Sequence, residues 1–224
     1  MPDVFPLGSS VPPLSVVMRA LAFATLRHTD QRRKGRRAQP YVNHLVEVAL
    51  LVSETTAGAD PNLVAAALLH DVVEDQGVTP EEIATTFGPD IAGLVMEVTD
   101  DKALTSVERK RLQVEHAPHL SPRGKLLKLA DKTCNLRSLA DDPPEDWPQS
   151  RARAYVEWSR AVAAGLRGIN PVLEAAFDQA ADEAIAAIET RRAEEWAAGW
   201  GRRAIPPPPG PPRSGRWRPP PRRR

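Results

Sequence analysis

The chain of 224 residues contains a single cysteine, Cys134, and this scarcity sets the first limits on its chemistry. One thiol cannot form an internal disulfide, which is typical of proteins from a reducing compartment. A zinc cluster built from several cysteines is also excluded, so any bound metal must use histidine and carboxylate ligands.

Long apolar runs are missing as well. No segment approaches the roughly 18 consecutive apolar residues that a membrane span needs. The N-terminus also lacks the basic segment, apolar stretch and small-residue cleavage site of a secretory signal. The composition of 42% hydrophobic and 26% charged residues is close to the average for globular proteins. We therefore expect a folded cytoplasmic protein that does not contact membranes.

The C-terminal segment 201–224 lacks acidic residues and carries eight arginines, so the net charge of +1 hides an acidic body. The first 200 residues are left with 22 basic and 29 acidic residues, which argues against a nucleic-acid surface over the whole domain. Nine prolines in the same segment predict a disordered tail. A solubilising extension is the simpler interpretation of this tail, and weak RNA binding by its arginines is the alternative.

Between the two ends, apolar residues recur at helical spacing and no strand-like alternation of useful length occurs. A capping residue followed by proline marks four helix starts, at Asp60-Pro61, Thr79-Pro80, Ser121-Pro122 and Asn170-Pro171. We predict an all-α bundle of about eight to ten helices in residues 14–200, with a flexible arm over 1–13 and the tail over 201–224. The predicted helices span about 14–28, 42–57, 61–75, 80–87, 90–100, 106–117, 122–140, 148–168 and 171–199.

The segment 65–75 ends an apolar helical pattern with four titratable residues, His70, Asp71, Glu74 and Asp75. At about 100° per residue, these side chains share one contiguous sector of a continuous helix. A solvated helix face is the simplest interpretation of the pattern. Carboxylates on an otherwise apolar helix are also typical of a site in which a cation compensates their charge.

Two further residues favour the metal interpretation. His44 opens one apolar helix, and Asp131 lies inside another. Two imidazoles and two carboxylates suit divalent manganese, iron or zinc, with water completing the coordination. Manganese is our first choice.

The chain resembles the HD-domain phosphohydrolases, whose motif is a histidine, a later His-Asp pair and a distant aspartate. Here these positions match His44, His70-Asp71 and Asp131. The resemblance extends to the alarmone hydrolases of the Rel/SpoT type and to their small stand-alone relatives, over about residues 15–180. It is carried by QRRK (31–34), PYVNH (40–44), AALLHDVVED (66–75), FG (87–88), EVTDDK (97–102), ERKRLQVEHAPH (108–119), KLLKLADKTCNLRSL (125–139) and YVEW (155–158).

This resemblance implies an HD-domain helical bundle and a cytoplasmic enzyme of the stringent response. Its substrates are ppGpp and pppGpp, whose 3′-diphosphate is hydrolysed to give GDP or GTP and pyrophosphate. The family implies one Mn²⁺ ion and a catalytic acidic pair, Glu74 and Asp75. The implied metal ligands are His44, His70, Asp71 and Asp131.

The resemblance also implies substrate-binding residues. Arg33 and Lys34 match positions that pack around the purine base, and Asn135 and Tyr155 match positions in the nucleotide pocket. Ser138 is eligible because it follows Asp131 and Asn135 on the same helix. The candidates for the remaining phosphates, each with a surface charge as its alternative interpretation, are Lys102, Arg109, Arg111 and Arg151. The additional loop residues Arg36 and Arg37 belong either to ligand binding or to the solvated surface.

Three alternatives stay open on the sequence alone. Removal of the 2′-phosphate of NADPH, implied by the resemblance to animal relatives, cleaves a similar ribose phosphoester. A broader nucleotide phosphohydrolase also fits, because fold and metal centre define the reaction type better than the substrate. A non-catalytic nucleotide sensor, or an RNA-associated protein tethered by its tail, is less favoured because Glu74 and Asp75 are both present.

Overall fold

The computed structural model describes residues 12–201, with side chains described through residue 194. Segments 1–11 and 202–224 contain nearly all of the predicted arm and tail, and they lie outside the described residues. In the described part of the chain, no helix is both long enough and apolar enough to cross a bilayer.

The predicted all-α architecture is confirmed. Within residues 12–201 there are ten α-helices and one 3-10 turn, and the only β-type pairs there are two isolated bridges. The elements are α1 (Pro13–Arg27), α2 (Val42–Thr55), α3 (Pro61–Leu69), α4 (Val72–Gln76), α5 (Pro80–Phe87), α6 (Pro89–Val98), α7 (Ser106–His116), the 3-10 turn (Ala117–His119), α8 (Pro122–Asp141), α9 (Gln149–Ala164) and α10 (Pro171–Gly201).

The four helix starts predicted from cap-proline pairs are all present. The side chains of Asp60, Thr79, Ser121 and Asn170 each accept a hydrogen bond from the backbone amide three residues later, at 3.0–3.1 Å. These caps satisfy amides that have no partner within the helix.

The prediction of one helix over 61–75 is wrong, because the helix breaks at His70 and Asp71. Asp71 has φ −101° and ψ −4°, which opens the turn between α3 and α4. The backbone amide of Asp75 bonds the carbonyl of Asp71 at 2.8 Å and so restarts the helix. The His-Asp pair therefore lies at a junction of two helices.

Helix α3 explains why this junction is buried. All residues from Leu63 to Leu69 are buried, and α3 packs against α1, α2, α6 and α8. A helix that is apolar on every side belongs in the core. Its C-terminal end therefore delivers His70 to the interior, where it faces the middle of α8.

Gly124, in the first turn of α8, allows α6 and α8 to approach closely. A Cβ added there would lie 2.6 Å from the carboxylate carbon of Glu97 in α6. That carboxylate accepts hydrogen bonds from the backbone amide of Ser121 and from its hydroxyl, the latter at 2.8 Å. Glu97 therefore helps to fix the N-terminus of α8.

We expect Gly124→Ala to lower the free energy of unfolding by about 1–2 kcal/mol, because the Glu97 carboxylate must move and lose these bonds. Gly93→Ala, at an exposed position inside α6 where an added Cβ meets no atom within 4 Å, is the control. That change should stabilise the protein by about 0.5–1 kcal/mol. Chemical denaturation measures both values, and equal effects would contradict the close packing.

Candidate active site

The four predicted metal-ligating side chains lie close together. The Nε2 atom of His44 lies 3.3 Å from Asp131 Oδ1 and 3.8 Å from Asp71 Oδ2. The Nε2 atom of His70 lies 3.0 Å from Asp71 Oδ2 and 3.7 Å from Asp131 Oδ1. Ligand atoms of His44, His70 and Asp131 all lie within 4.8 Å of one another. One ion can therefore bridge these side chains. We call the group His44, His70, Asp71 and Asp131 the His-Asp cluster.

The orientation of the His70 ring suits metal binding. Its Nδ1 donates a hydrogen bond to the carbonyl of Ala67 at 2.8 Å. Its Nε2 is buried without a hydrogen-bond partner and faces the carboxylates. A ligating histidine is usually oriented in this way, by a hydrogen bond from its other nitrogen. The donor set of two imidazole nitrogens and two carboxylates therefore fits a divalent cation.

The charges in the cluster depend strongly on one another. Burial lowers the pKa of His44. At His70, burial is outweighed by Asp71 and Asp131, which raise the pKa to about 10. Burial would raise the pKa of Asp131, but Lys132 and the two imidazoles hold it well below its usual range. Either a proton on His70 or a divalent cation compensates the negative charge of Asp71 and Asp131. Binding of the cation releases the proton.

Three neighbouring side chains orient the two carboxylates. The hydroxyl of Tyr41 donates to Asp71 Oδ2 at 2.7 Å. The amide of Asn135 donates to Asp131 Oδ1 at 2.6 Å, and Lys132 Nζ donates to Asp131 Oδ2 at 3.2 Å. Such outer contacts fix the geometry of metal ligands.

The acidic pair Glu74 and Asp75 lies in α4, directly after the His-Asp junction. Lys102 Nζ lies 3.0 Å from Asp75 Oδ1 and 3.3 Å from Glu74 Oε1. Burial raises the pKa of Glu74, and the neighbouring Asp100 raises it further. A carboxylate with a raised pKa is a stronger proton acceptor.

A cavity of about 400 Å³ opens beside the cluster and the acidic pair. Five predicted substrate-binding residues line it: Arg33, Lys34, Asn135, Ser138 and Tyr155. Asp71, Glu74 and Asp75 line the same cavity. The pocket thus combines cationic and aromatic groups with carboxylates, a combination suited to an anionic ligand with a planar ring.

The other four candidate substrate contacts do not line this cavity. Arg111 pairs with Glu115 at 2.6 Å. Lys102 bridges the acidic pair, as described above. Arg109 donates to the carbonyl of Leu104 at 2.9 Å and lines a separate cavity of about 220 Å³. The guanidinium of Arg151 lies 4.6 Å from the ring centroid of Trp147. Arg151 therefore contacts Trp147, which itself lines the pocket.

The arginines at positions 36 and 37 are engaged in ion pairs. Arg37 pairs with Asp141 and donates its backbone amide to Asp142 at 3.1 Å, while Arg36 lies 3.7 Å from Glu145. Gly35 forms an isolated bridge with Pro144 in the same region. The basic loop is therefore bound to the C-terminal end of α8 and the segment after it.

Several pocket residues escaped the sequence interpretation. Trp147 follows α8 in a proline-rich acidic segment, and Tyr41 precedes α2. The tyrosine stands in the PYVNH motif, and Gln31 opens the QRRK motif, so motif membership could have indicated both. Trp147 carries no comparable signal, since only the tertiary structure brings its loop to the pocket.

Residues 20–157 match the family model of the HD domain. Guanosine-3′,5′-bis(diphosphate) 3′-pyrophosphohydrolase MESH1 of Xenopus tropicalis is 48% identical over 164 residues, covering 73% of this chain and 92% of the relative. The protein of the same name from Homo sapiens is 48% identical over 161 residues, covering 72% and 90% respectively. The chain belongs to the HD-domain ppGpp hydrolase family.

A solved structure of this HD-domain hydrolase family agrees with the present fold. It is described as a metazoan ortholog of SpoT that hydrolyzes ppGpp and plays a role in starvation responses. The superposition has a TM-score of 0.73 at 45% sequence identity, covering 76% of this chain and 96% of the other. HD-domain hydrolases depend on a metal, and this member presents His44, His70 and Asp131 as a group suited to one.

In this HD-domain hydrolase, His70→Ala and Asp131→Ala should each lower the affinity for a divalent cation by more than about 100-fold, beyond the loss caused by changing an outer contact. His119→Ala, at an exposed histidine of the 3-10 turn, is the control and should bind normally. Protein stripped with chelator and titrated with Mn²⁺ in a calorimeter gives the affinities. Unchanged tight binding in both variants would show that the cluster does not hold the ion.

Proposed function

We propose that the protein hydrolyses the 3′-diphosphate of ppGpp and pppGpp, giving GDP or GTP and pyrophosphate. One observation carries this proposal: Asp71 of the cluster, the acidic pair, and the cationic residues Arg33 and Lys34 line one cavity of about 400 Å³. Relatives named for this activity match the chain over 90% or more of their length, which supports the assignment.

The cofactor of the proposed reaction is one Mn²⁺ ion. Its ligands are His44, His70, Asp71 and Asp131, whose mixed nitrogen and oxygen donors suit this ion. When bound there, the ion supplies the Lewis acidity that favours attack of water at phosphorus. Tyr41 holds the carboxylate of Asp71 in place throughout the reaction.

The acidic pair handles the protons of the reaction. The oxygen of water bonds to the phosphorus that carries the ribose 3′ oxygen, and the bond between that phosphorus and the 3′ oxygen breaks. Glu74, whose pKa is raised, accepts a proton from the water. Asp75 orients the water, and the proton taken up by Glu74 passes to the 3′ oxygen, which leaves as a hydroxyl. Lys102 keeps the two carboxylates together by pairing with both.

The nucleotide contacts the cationic and aromatic residues of the pocket lining. The Arg33 guanidinium donates to Asn135 Oδ1 at 3.2 Å and lies 5.7 Å from the ring centroid of Tyr41. It is therefore positioned to stack on a purine, with Lys34 and Tyr155 on the same lining. Ser138 and Asn135 complete the polar wall towards the cluster.

The location and partners that we propose follow the sequence predictions. The enzyme acts in the cytoplasm on a small nucleotide and does not require a membrane. Any RNA contact through the arginines of segment 202–224 is weak and salt-sensitive.

Protein stripped of metal and reconstituted with Mn²⁺ should release pyrophosphate and GDP from ppGpp. Reactions with NADPH and GTP run in parallel, with phosphate release reporting removal of the NADPH 2′-phosphate. We expect the highest kcat/KM with ppGpp and loss of turnover on chelation. Reconstitution with Zn²⁺, Fe²⁺ and Mg²⁺ compares the metals. Preference for NADPH would replace the proposed substrate, and binding without turnover of any compound would favour a sensor.

The double variant Glu74→Gln and Asp75→Asn removes both carboxylate charges without large changes in volume. Its kcat should fall by about 10²–10⁴-fold, since general base catalysis is lost. Mn²⁺ binding and ppGpp binding should persist, as measured by calorimetry on the variant. Glu81→Gln, at an exposed position in α5, is the control. Turnover equal to wild type in the double variant would remove both residues from the mechanism.

A further inference from the structure

His28 is a buried histidine outside the His-Asp cluster, and the mechanism above does not use it. It follows the last residue of α1 and is 1% exposed. Its ring stacks on Tyr41, with centroids 5.2 Å apart and an interplanar angle of 15°. Its Nε2 is buried without a hydrogen-bond partner. His28 does not line the 400 Å³ pocket, so direct contact with substrate there is not its role.

A hydrogen-bonded chain connects His28 to the acidic pair. Gln31 Nε2 donates to Asp75 Oδ2 at 2.8 Å. Gln31 Oε1 lies 2.5 Å from His28 Nδ1 and accepts from Gln76 Nε2 at 2.5 Å. The two polar ends of the Gln31 amide are therefore both engaged, one by the carboxylate and the other by two side chains.

The chemistry of the carboxylate determines the direction of this chain. An ionised carboxylate only accepts hydrogen bonds, so the amide nitrogen of Gln31 must face Asp75. The amide oxygen then faces His28, which must carry its proton on Nδ1 to donate. Nε2 of His28 is left unprotonated, in agreement with its lack of any acceptor.

The two carboxylate oxygens of Asp75 have partners that are restrained to different degrees. Oδ1 is paired with Lys102, whose side chain is 49% exposed and therefore weakly restrained. Oδ2 is held by Gln31, which is itself fixed by the buried His28. The contact with Gln31 and His28 therefore sets the plane of the Asp75 carboxylate. Errors of about 1 Å in a catalytic group can cost about 100-fold in rate.

We propose that His28 is a positioning residue that acts through Gln31 to orient the Asp75 carboxylate during hydrolysis. This inference rests on the proposed function, in which Asp75 orients the attacking water. The same imidazole packs on Tyr41, the hydroxyl of which holds Asp71.

Two substitutions separate the hydrogen bond from the packing. His28→Leu fills the site with an apolar side chain and removes the donor, while His28→Asn places an N–H close to the position of Nδ1. We expect kcat on ppGpp to fall about 10- to 100-fold in His28→Leu. KM and the Mn²⁺ dissociation constant should stay within about twofold, because His28 contacts neither ligand. His28→Asn should recover most of kcat, and His119→Leu on the exposed 3-10 turn should match wild type.

Other outcomes would overturn the proposal. Wild-type kcat in His28→Leu, or a loss that appears only in KM or in metal affinity, contradicts a positioning role. No recovery in His28→Asn would assign the effect to packing. If His28→Leu does not fold, as judged by thermal unfolding, Gln31→Met takes its place, since it keeps the side-chain length without the amide.

A measurement that does not need activity distinguishes this proposal from the proposed function. A long-range ¹H–¹⁵N spectrum of the full chain identifies the tautomer of His28, with His28→Asn used for assignment. We expect the Nδ1-protonated form. The Nε2-protonated form would overturn the hydrogen-bonded chain, even if ppGpp is hydrolysed. The Nδ1 form in a protein that does not hydrolyse ppGpp would support the chain and contradict only the proposed function.

Discussion

The mutual repulsion of two carboxylates, Asp131 in the core and Asp71 with 18% of its side chain exposed, is the constraint on which this molecule depends. Asp71 and Asp131 approach the same two imidazoles in the core, where unpaired negative charge is costly. Positive charge must therefore be supplied, by Lys132, by a proton on His70 or by a divalent cation. Tyr41 and Asn135 complete the hydrogen bonds of the carboxylates. The chemistry of the site follows from this need for positive charge beside Asp71 and Asp131.

The break between α3 and α4 is how the fold meets this constraint. A continuous helix would keep His70 and Asp71 on one regular surface. The open turn instead lets His70 bond the carbonyl of Ala67 through Nδ1 while Nε2 faces the carboxylates. The restarted helix then presents Glu74 and Asp75 to the pocket. A short irregularity thus separates the proposed metal ligands from the acidic pair to which we assign proton transfer.

Much of this arrangement could be predicted from the sequence, because it depends on local rules or on recognisable motifs. Cap-proline pairs identified four helix starts, and the motif spacing identified residues that now meet in the cluster, such as His44 and Asp131. The break at Asp71 could not be predicted, since helical periodicity continues through it. Trp147 and His28 were missed because their roles depend on contacts between segments distant in sequence. Ion pairing of Arg37 with the end of α8 also requires the tertiary structure.

The bridge between Gly35 and Pro144 has a consequence for how the family can vary. A Cβ at position 35 would lie 2.1 Å from Asp142 Oδ2, so a larger residue there requires a change in the segment after α8. That segment continues from the helix that carries Asp131, and the loop begins with residues that line the 400 Å³ pocket. Substitutions in the two segments should therefore be inherited together. A chain that receives only the loop around Gly35 from a relative, and keeps its own segment after α8, would combine two parts of the pocket that do not fit each other.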